Sequence, residues 1–313
     1  MDQGLGTKKI YIAGHTGLIG SALVRHFSKN NSIQIVAAAH SELELTDQKA
    51  VKDFIVYHKP EAVVMAAGKV GGIAANSKYP AEFIYQNLMM EANLIHAAWQ
   101  AGVKRLLNFG SSCIYPKKAP QPMTPDLLMT GKMEETNEPY AIAKLAGLSL
   151  CESYNRQYGT CYINVIPSNI YGPGDSYDLE KCHVISAAIA KFHQAKIDGE
   201  KKVEFWGSGN VTRDFLYVDD LARACLLLLK VYEGPAPIHV GAQAPCVVSD
   251  LVEKVKNVVG FKGEVVWNTS KPDGAPKRIL DATKVKGLGF VPQVDLETGL
   301  RKTYAWYQNR EVS

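Results

Sequence analysis

The sequence lacks any apolar run long enough to cross a membrane. The longest run, Ala224 to Leu229, is far shorter than the roughly 18 residues that a spanning helix needs, and we interpret it as a buried helix face. The first residues carry no apolar core of the signal-peptide kind. Six scattered cysteines form neither a CxxC pair nor the Cys/His spacing of a metal site. We therefore expect a cytoplasmic protein with reduced thiols, no metal and no membrane contact.

The sequence also lacks a strong charge of either sign. Its 35 Lys and Arg residues stand against 31 Asp and Glu residues, and the net charge of +4 is spread along the chain. This excludes a nucleic-acid-binding stripe and a polybasic membrane anchor, but it allows a local basic patch for a small anionic ligand. A length of 313 residues is enough for a full α/β core and a smaller second lobe.

The first half of the sequence alternates short apolar runs with segments of helical periodicity. This alternation predicts a Rossmann-type doubly wound parallel sheet with helices on both faces. The predicted strands cover residues 10–13, 33–37, 62–65, 105–109 and 162–166, and the predicted helices cover residues 18–27, 47–58, 81–99 and 140–158.

The alternation ends after Pro167. Gly/Pro-rich turns, a helix near residues 185–195 and an isolated strand at residues 203–206 follow. We predict a nucleotide-binding domain at residues 1–167 with a return segment near 215–242, and a smaller α/β substrate lobe made of residues 168–214 and 243–313. The Pro-, Lys- and Thr-rich segment 115–136 is expected to be a long ordered loop that covers a site.

A glycine-rich loop joins the first predicted strand to the first helix. Glycines in this position let the backbone turn tightly and approach a pyrophosphate, whose charge the helix N-terminus stabilises. The predicted cofactor contacts are Gly14, His15, Thr16, Gly17, Leu18, Ile19 and Gly20.

The second strand does not decide between the two nicotinamide dinucleotides. NAD-binding folds usually place an acid there for the ribose 2′-hydroxyl, and NADP-binding folds place an arginine. The strand ends in three alanines and His40, so neither is present. His15, His40 and Ser41 could bond a 2′-phosphate weakly. Asp47 is expected to cap the next helix, to bond the adenine amine, or both.

Tyr140 and Lys144 are spaced i, i+4 on one predicted helix. An ammonium beside a phenol favours the phenolate, so we expect Lys144 to lower the pKa of Tyr140 from about 10 towards neutrality. Ser111 follows an apolar strand, and the parallel sheet should bring its hydroxyl beside Tyr140, where both can bond a substrate carbonyl. Together with the glycine loop, these residues predict a hydride-transferring oxidoreductase.

At this point the chain resembles the extended short-chain dehydrogenase/reductases, and within them the GDP-L-fucose synthases. The resemblance covers nearly the whole chain. It is carried by AGHTGLIG at 13–20, AGKVGG at 67–72, YPAEFIYQN at 79–87, GSSCIYP at 110–116, ETNEPYAIAK at 135–144, LCESYNRQYG at 150–159, WGSG at 206–209, RDFLYVDD at 213–220 and KPDG at 271–274.

The resemblance implies epimerisation of GDP-4-keto-6-deoxy-D-mannose at C3 and C5, and then reduction at C4 with NADP(H), to give GDP-L-fucose. It makes Cys113 the base and His183 the acid of the epimerisation. It implies substrate contacts at Lys191, Trp206, Arg213 and Asp273, and a homodimer formed through the helices at 81–99 and 140–158. The implied further cofactor contacts are Phe109, Gly110, Ser111, Ser112, Tyr140, Lys144, Pro167, Ser168, Asn169, Ile170 and His183.

Three positions depart from the family pattern. Lys191 stands where relatives often carry arginine, and Thr16 and Ala38 replace the arginines that hold the 2′-phosphate. We therefore expect a reduced preference for NADPH. Without the resemblance, Cys113 would be interpreted as a packed thiol and His183 as a surface residue at a helix start. The alternative for Trp206 is a core position in the smaller lobe.

The same residues bear on four alternative functions. A sugar-nucleotide dehydratase needs an acidic pair where Ser112 and Cys113 stand, so it is excluded. A UDP-galactose-type C4 epimerase would not need Cys113 and His183. A silent NADP-sensing protein need not keep Ser111, Tyr140 and Lys144 together. The same chemistry on another GDP-4-keto sugar, in GDP-colitose or GDP-heptose synthesis, stays open.

Overall fold

A computed structural model describes residues 8–179, 182–271 and 273–310. The expectation about the first residues, 1–7, and Pro272 of the KPDG run lie outside the described residues. The strands are β1 (Lys8–Ala13), β2 (Ile33–Val36), β3 (Ala62–Met65), β4 (Arg105–Phe109), β5 (Cys161–Pro167), β6 (Asn169–Tyr171), β7 (Lys202–Trp206), β8 (Thr212–Tyr217), β9 (Ile238–Val240), β10 (Pro245–Val247), β11 (Glu264–Asn268) and β12 (Lys277–Arg278).

The helices alternate with the strands in the first half of the chain. They are α1 (Leu18–Phe27), α2 (Gln48–His58), α3 (Ile73–Lys78), α4 (Pro80–Gln100), α5 (Glu138–Tyr158), α6 (Val184–Asp198), α7 (Val218–Val231), α8 (Val248–Val259), α9 (Thr283–Gly287) and α10 (Leu296–Arg310). In the described part of the chain, no helix is both long enough and apolar enough to span a bilayer.

The main sheet has six strands in the order β2-β1-β3-β4-β5-β9, and each neighbouring pair is parallel. One face packs against α1 and α7 through side chains such as Leu23 and Leu228. The other face packs against α2 and α4 through side chains such as Ile55 and Leu94. All four β3 residues are buried, as expected for a strand covered on both faces. The predicted doubly wound α/β fold is confirmed.

The second half of the chain builds smaller sheets. β8 pairs with β10, β12 and β6, and β7 pairs with β11 in parallel. The strand that we expected to be isolated at 203–206 is therefore paired, with a partner some 60 positions later in the chain. Within the segment 215–242, β9 joins the main sheet and α7 packs on it, whereas β8 pairs in a smaller sheet.

A separate apolar core holds these smaller sheets to α6, α8 and α10. Phe192 of α6 lies 5.3 Å, between ring centroids, from both Phe205 and Phe261. Leu251 of α8 and Leu300 of α10 are fully buried in the same cluster. The second half of the chain thus has its own packing centre, distinct from the main sheet.

The segment 115–136 is held against β12. The Met123 amide donates to the Ile279 carbonyl at 2.8 Å, and the Asp281 amide donates to the Met123 carbonyl at 2.8 Å. Met123 itself is buried in a small cluster with Cys113 and Ile114. This segment brings β12 from the second half of the chain up to the end of β4.

Candidate active site

The glycine loop packs α1 tightly against the ends of β1 and β3. Gly14 has φ +76°, and a Cβ there would lie 2.6 Å from Ala67 Cα. A Cβ on Gly20 would overlap the Gly14 carbonyl oxygen. Side chains at these positions would fill the space beside the N-terminus of α1, where no side chain caps the helix. The loop is therefore a cradle that only glycine can form.

Two buried polar atoms at the carboxyl ends of the main-sheet strands have no hydrogen-bond partner among the described residues. They are Nδ1 of His15 in the loop and Oγ of Ser168 just after β5. Buried polar atoms in folded proteins are normally satisfied. Together with the glycine cradle, they fit a polar cofactor lying across the carboxyl ends of the parallel strands.

The loop after β2 carries no cationic group other than His40. Ala38 is half-buried, and the exposed His40 pairs with Glu44 at 2.8 Å. Thr16, in the glycine loop, is exposed. Asp47 accepts from the Ala50 amide at 3.0 Å and so caps α2, as expected.

Ser111, Cys113 and Tyr140 come together at the end of β4. Ser111 begins a single 3-10 turn, and its Oγ accepts from the Cys113 amide at 3.4 Å. The Tyr140 and Cys113 side chains also lie close enough to the Ser111 hydroxyl and to each other to interact electrostatically. The Tyr140 ring packs edge-on against Phe83, with 6.2 Å between centroids. The structure thus brings a hydroxyl, a thiol and a phenol together in one cluster.

We expected Lys144 to lower the pKa of Tyr140, and this prediction was wrong. Burial raises the pKa of Tyr140 well above its usual value, and the nearby Cys113 and Glu91 add to the rise. Lys144, one turn along α5, forms a buried ion pair with Glu91. Burial, the largest cause of this rise, therefore favours the protonated phenol of Tyr140.

Sequence analysis missed two charged residues of this region. Glu91 is the one acid among the buried residues of α4, and an acid at a buried helix position is a usable signal. Arg278 of β12 donates from Nη1 to the Ser112 carbonyl at 2.5 Å. Arg278 and Ser112 lie 166 positions apart in the sequence, so no local pattern could have connected them.

The remaining predicted contacts at the strand ends lie near each other. The Gly110 amide donates to the Val165 carbonyl, and the Ser168 amide donates to the Val240 carbonyl, both at 2.8 Å. The ends of β4 and β5, with the residues next to them, also include Phe109, Ser112, Pro167 and Ile170. The Asn169 side chain donates to the Asp214 carbonyl at 3.1 Å.

His183 lies apart from the Ser111 cluster in this conformation. It is exposed at the start of α6, near Asp175. Burial raises the pKa of the Asp175 carboxyl, which accepts a hydrogen bond from Ser186, and His183 opposes that rise. The structure places His183 on the smaller lobe and Cys113 on the main sheet.

The four predicted substrate contacts belong to the smaller lobe. Lys191 Nζ donates to the Glu204 carbonyl at 2.8 Å, and burial lowers the pKa of this lysine. Trp206 is 58% exposed, so its interpretation as a core residue is wrong. Asp273 accepts from both the amide (2.6 Å) and the hydroxyl (2.9 Å) of Ser208, and so fixes the loop after β7. Arg213 bonds the neighbouring Thr212 carbonyl at 2.9 Å.

The chain matches the NAD dependent epimerase/dehydratase family over residues 10–241. It is 48% identical over 304 residues to the putative GDP-L-fucose synthase 2 of Arabidopsis thaliana, which covers 97% of this chain and 93% of that protein. It is 46% identical over 312 residues to the GDP-L-fucose synthase of Escherichia coli K12, covering 97% of each. It is 35% identical to the GDP-L-colitose synthase of Yersinia pseudotuberculosis, covering 97% of this chain and 99% of that one.

Solved structures share the whole architecture. A GDP-6-OMe-4-keto-L-xylo-heptose reductase from C. jejuni has a TM-score of 0.92 and 33% identity, covering 98% of this chain and 99% of that one. A GDP-L-fucose synthetase from Naegleria fowleri bound to NADP has a TM-score of 0.91 and 26% identity, covering 98% and 96%.

Proposed function

Because the chain belongs to the NAD dependent epimerase/dehydratase family, we propose that it converts GDP-4-keto-6-deoxy-D-mannose to GDP-L-fucose in two steps. The first step inverts C3 and C5, and the second reduces the C4 ketone at the expense of NADPH. The observation that carries the proposal is the cluster of Ser111, Cys113 and Tyr140 at the end of β4, in a chain that is similar to GDP-L-fucose synthases over nearly its whole length.

In the proposed epimerisation, the Ser111 and Tyr140 hydroxyls bond the C4 carbonyl oxygen and so acidify the protons at C3 and C5. At C3 and at C5 in turn, the Cys113 thiolate removes the proton from one face of the carbon. His183 then donates a proton to the opposite face of the same carbon. The similarity to GDP-L-fucose synthases supports these two roles, with Cys113 following β4 and His183 beginning α6.

In the proposed reduction, Tyr140 acts as the acid. Burial raises the pKa of its phenol, so the side chain holds a proton that it can give to the C4 oxygen. NADPH, when bound, supplies the hydride. Lys144 is proposed to face the cofactor ribose, and the glycine cradle and Ser168 to hold the pyrophosphate side. The full set of proposed cofactor contacts is Gly14, His15, Thr16, Gly17, Leu18, Ile19, Gly20, His40, Phe109, Gly110, Ser111, Ser112, Tyr140, Lys144, Pro167, Ser168, Asn169, Ile170 and His183.

The GDP part of the substrate is proposed to bind the smaller lobe. Arg213 and Lys191 supply positive charge for the diphosphate, and the exposed Trp206 ring offers a flat apolar face. Asp273 contributes through the loop that it fixes beside Trp206. The division into a cofactor domain (1–167, with residues 215–242) and a substrate lobe (168–214 and 243–313) is part of this proposal. The separate apolar cores support it.

A cytoplasmic homodimer completes the proposal. α4 and α5 pack together and expose the apolar side chains Tyr85 (61%), Ile142 (44%) and Tyr158 (40%), which a second copy could cover in a four-helix bundle. All six cysteines are free thiols, as in the reducing cytoplasm. Light scattering should give twice the mass of one chain, and a single-chain mass would contradict the dimer.

The test is direct assay of the purified protein with GDP-4-keto-6-deoxy-D-mannose and either NADPH or NADH. We expect oxidation of the cofactor and GDP-L-fucose as the product, identified by nuclear magnetic resonance. Turnover of a GDP-4-keto-heptose alone would favour the second candidate, heptose reduction, which the similarity to the C. jejuni reductase supports. Cofactor binding without turnover of any GDP-4-keto sugar, GDP-colitose precursors included, would indicate a silent NADP-sensing protein instead.

A further inference from the structure

Arg278 is held in place beside the turn that carries Cys113. Its Nη1 donates to the Ser112 carbonyl at 2.5 Å. The backbone of the next residues is fixed by Met123, which bonds the Ile279 carbonyl and the Asp281 amide. In the strand register Arg278 lies opposite Arg213. The guanidinium is therefore anchored on the Ser112 carbonyl, and hydrogen bonds to Met123 hold the backbone that follows Arg278.

The charge of Arg278 is not balanced by an acid. Within residues 8–179, 182–271 and 273–310, no carboxylate forms an ion pair with it. Glu134, the acid that acts on it electrostatically, already pairs with Lys117 at 3.0 Å. Arg213 is also bonded to a backbone carbonyl, and burial and Arg278 together lower the pKa of Arg213 to about 10. Two half-buried guanidiniums side by side favour an anion nearby.

Cys113 is a group that needs such a cation. Burial raises the pKa of its thiol and so disfavours the thiolate. The groups that face it are the Ser111 hydroxyl on its own turn, Tyr140 and Lys144 from α5, and Arg278 from β12. Lys144 is paired with Glu91, whereas Arg278 has no carboxylate partner among the described residues. Of these two cations, Arg278 lowers the pKa of the thiol more than Lys144 does.

We propose that Arg278 is the positioning residue of Cys113, anchored on the Ser112 carbonyl so that its charge stabilises the thiolate. This inference rests on the proposed function. In the step that it supports, the thiolate takes the proton from C3 or C5, an S–H bond forms, and the C–H electron pair moves into the C4 carbonyl as an enolate. The sugar carbon is then reprotonated from the other face.

The thiolate can be measured without any substrate. The ultraviolet absorbance of thiolate is followed against pH in the wild-type protein and in Cys113→Ser, and the difference between them gives the titration of Cys113 alone. In an Arg278→Gln background the same difference should show a midpoint about one pH unit or more higher, because an opposite charge within a few ångströms favours the charged form by that amount. Arg278→Met, which keeps the apolar stem, serves if the Gln variant does not fold.

Two further variants separate charge from structure. Arg278→Lys keeps a cation and should restore most of the wild-type midpoint. Lys277→Gln removes the same charge from the exposed neighbour on β12 and should leave the midpoint unchanged. An unchanged midpoint in Arg278→Gln, or an Arg278→Lys midpoint as high as that of Arg278→Gln, would overturn the proposal.

Turnover gives a second readout. With substrate in heavy water, Arg278→Gln should incorporate deuterium at C3 and C5 about tenfold more slowly near neutral pH, and should recover as the pH rises. A deficit that is the same at every pH would contradict the role of Arg278. A wild-type protein inactive on the GDP-keto sugar would refute the proposed function, whereas the thiolate titration would still decide the role of Arg278.

Discussion

The Glu91 carboxylate lies against the Lys144 ammonium in the closed space between α4 and α5. The two side chains are 1% and 5% exposed. Gly147, one turn beyond Lys144, makes room for the pair, because a Cβ at that position would overlap the carboxylate. An ion pair so deeply buried is sensitive to the loss of either partner.

Replacing Glu91 by Gln should therefore destabilise the protein by about 3 kcal/mol, because a buried ammonium loses its counter-charge. Urea unfolding measures the change. Glu82→Gln is the matched control on the same helix; it breaks the more exposed pair with Lys69 and should cost about 1 kcal/mol or less. Equal losses in the two variants would show that the buried pair has no special role.

Tyr140→Phe should reduce the rate of C4 reduction by a factor of roughly 10² or more, the range typical of a lost acid catalyst. The ring contact with Phe83 remains, so cofactor binding and folding should persist. Cofactor oxidation and equilibrium binding are measured in parallel. Tyr57→Phe, at a position 81% exposed on α2, should behave as wild type. A Tyr140→Phe variant that reduces the keto-sugar at the wild-type rate would remove Tyr140 from the mechanism.

Cys113→Ser separates the two halves of the chemistry. An alcohol is a far weaker base than a thiolate, whose reference pKa is about 8.5, so exchange of solvent protons at C3 and C5 should be lost. C4 reduction needs only Ser111, Tyr140, Lys144 and cofactor, so an unepimerised GDP-6-deoxy-hexose should form. Mass spectrometry of the product from heavy water reads both outcomes. The His183→Asn variant should still exchange some solvent protons, since Cys113 still removes protons from one face. Full deuterium uptake by Cys113→Ser would show that Cys113 is not the base.

The cofactor preference should be modest. We expect NADPH to bind more tightly than NADH, but by less than in proteins with two arginines, because each lost charged hydrogen bond is worth about 1.5–3 kcal/mol. Ala38→Arg should strengthen NADPH binding by roughly tenfold or more and leave NADH nearly unchanged. Fluorescence titrations with both dinucleotides test this. Tighter binding of NADH by the wild type would contradict the expectation.

Stability should fall in mild acid because of His239. Burial lowers the pKa of this histidine to about 4, below its ordinary 6.5, while its ring bonds the Tyr115 hydroxyl at 2.5 Å and the Asp281 carbonyl at 3.0 Å. The unfolded chain therefore binds a proton that the folded protein does not, between pH 6.5 and 4. The neutral His239 therefore contributes about 3 kcal/mol to the free energy of unfolding. This contribution is complete above pH 6.5 and is lost as the pH falls to 4. Urea midpoints across this range should fall less steeply in His239→Asn; identical slopes would disprove the assignment.

Local patterns predicted the main sheet well and long-range pairings poorly. β3 and β4 begin and end where the apolar runs do, because each strand is buried on both faces and its sequence reflects that directly. The partner of β7 could not be predicted, since nothing in residues 203–206 encodes a strand that comes some 60 residues later. The short helix α3 was missed for a different reason, as it is only six residues long.

In the candidate site, too, local motifs were predictive and long-range contacts were not. Motif spacing and family resemblance led to Ser111, Cys113 and Tyr140, which the structure brings together. The direction of the Tyr140 pKa shift was mispredicted, because burial of the phenol and the nearby Glu91 of another helix cannot be inferred from the Tyr140–Lys144 spacing. Arg278 was missed because its link to the Cys113 turn exists only after the smaller sheets have packed against the larger one.

The order in which the strands join the sheets bears on synthesis at the ribosome. β5 gains its outer neighbour only when β9 has emerged, after β7 and β8 have been made. β7 in turn waits for β11. Each sheet is thus completed by residues translated after parts of the other, so the nascent chain exposes unpaired strand edges of both until nearly its full length has been translated. We therefore expect chaperones to bind the nascent chain, and C-terminally truncated chains to fail to accumulate.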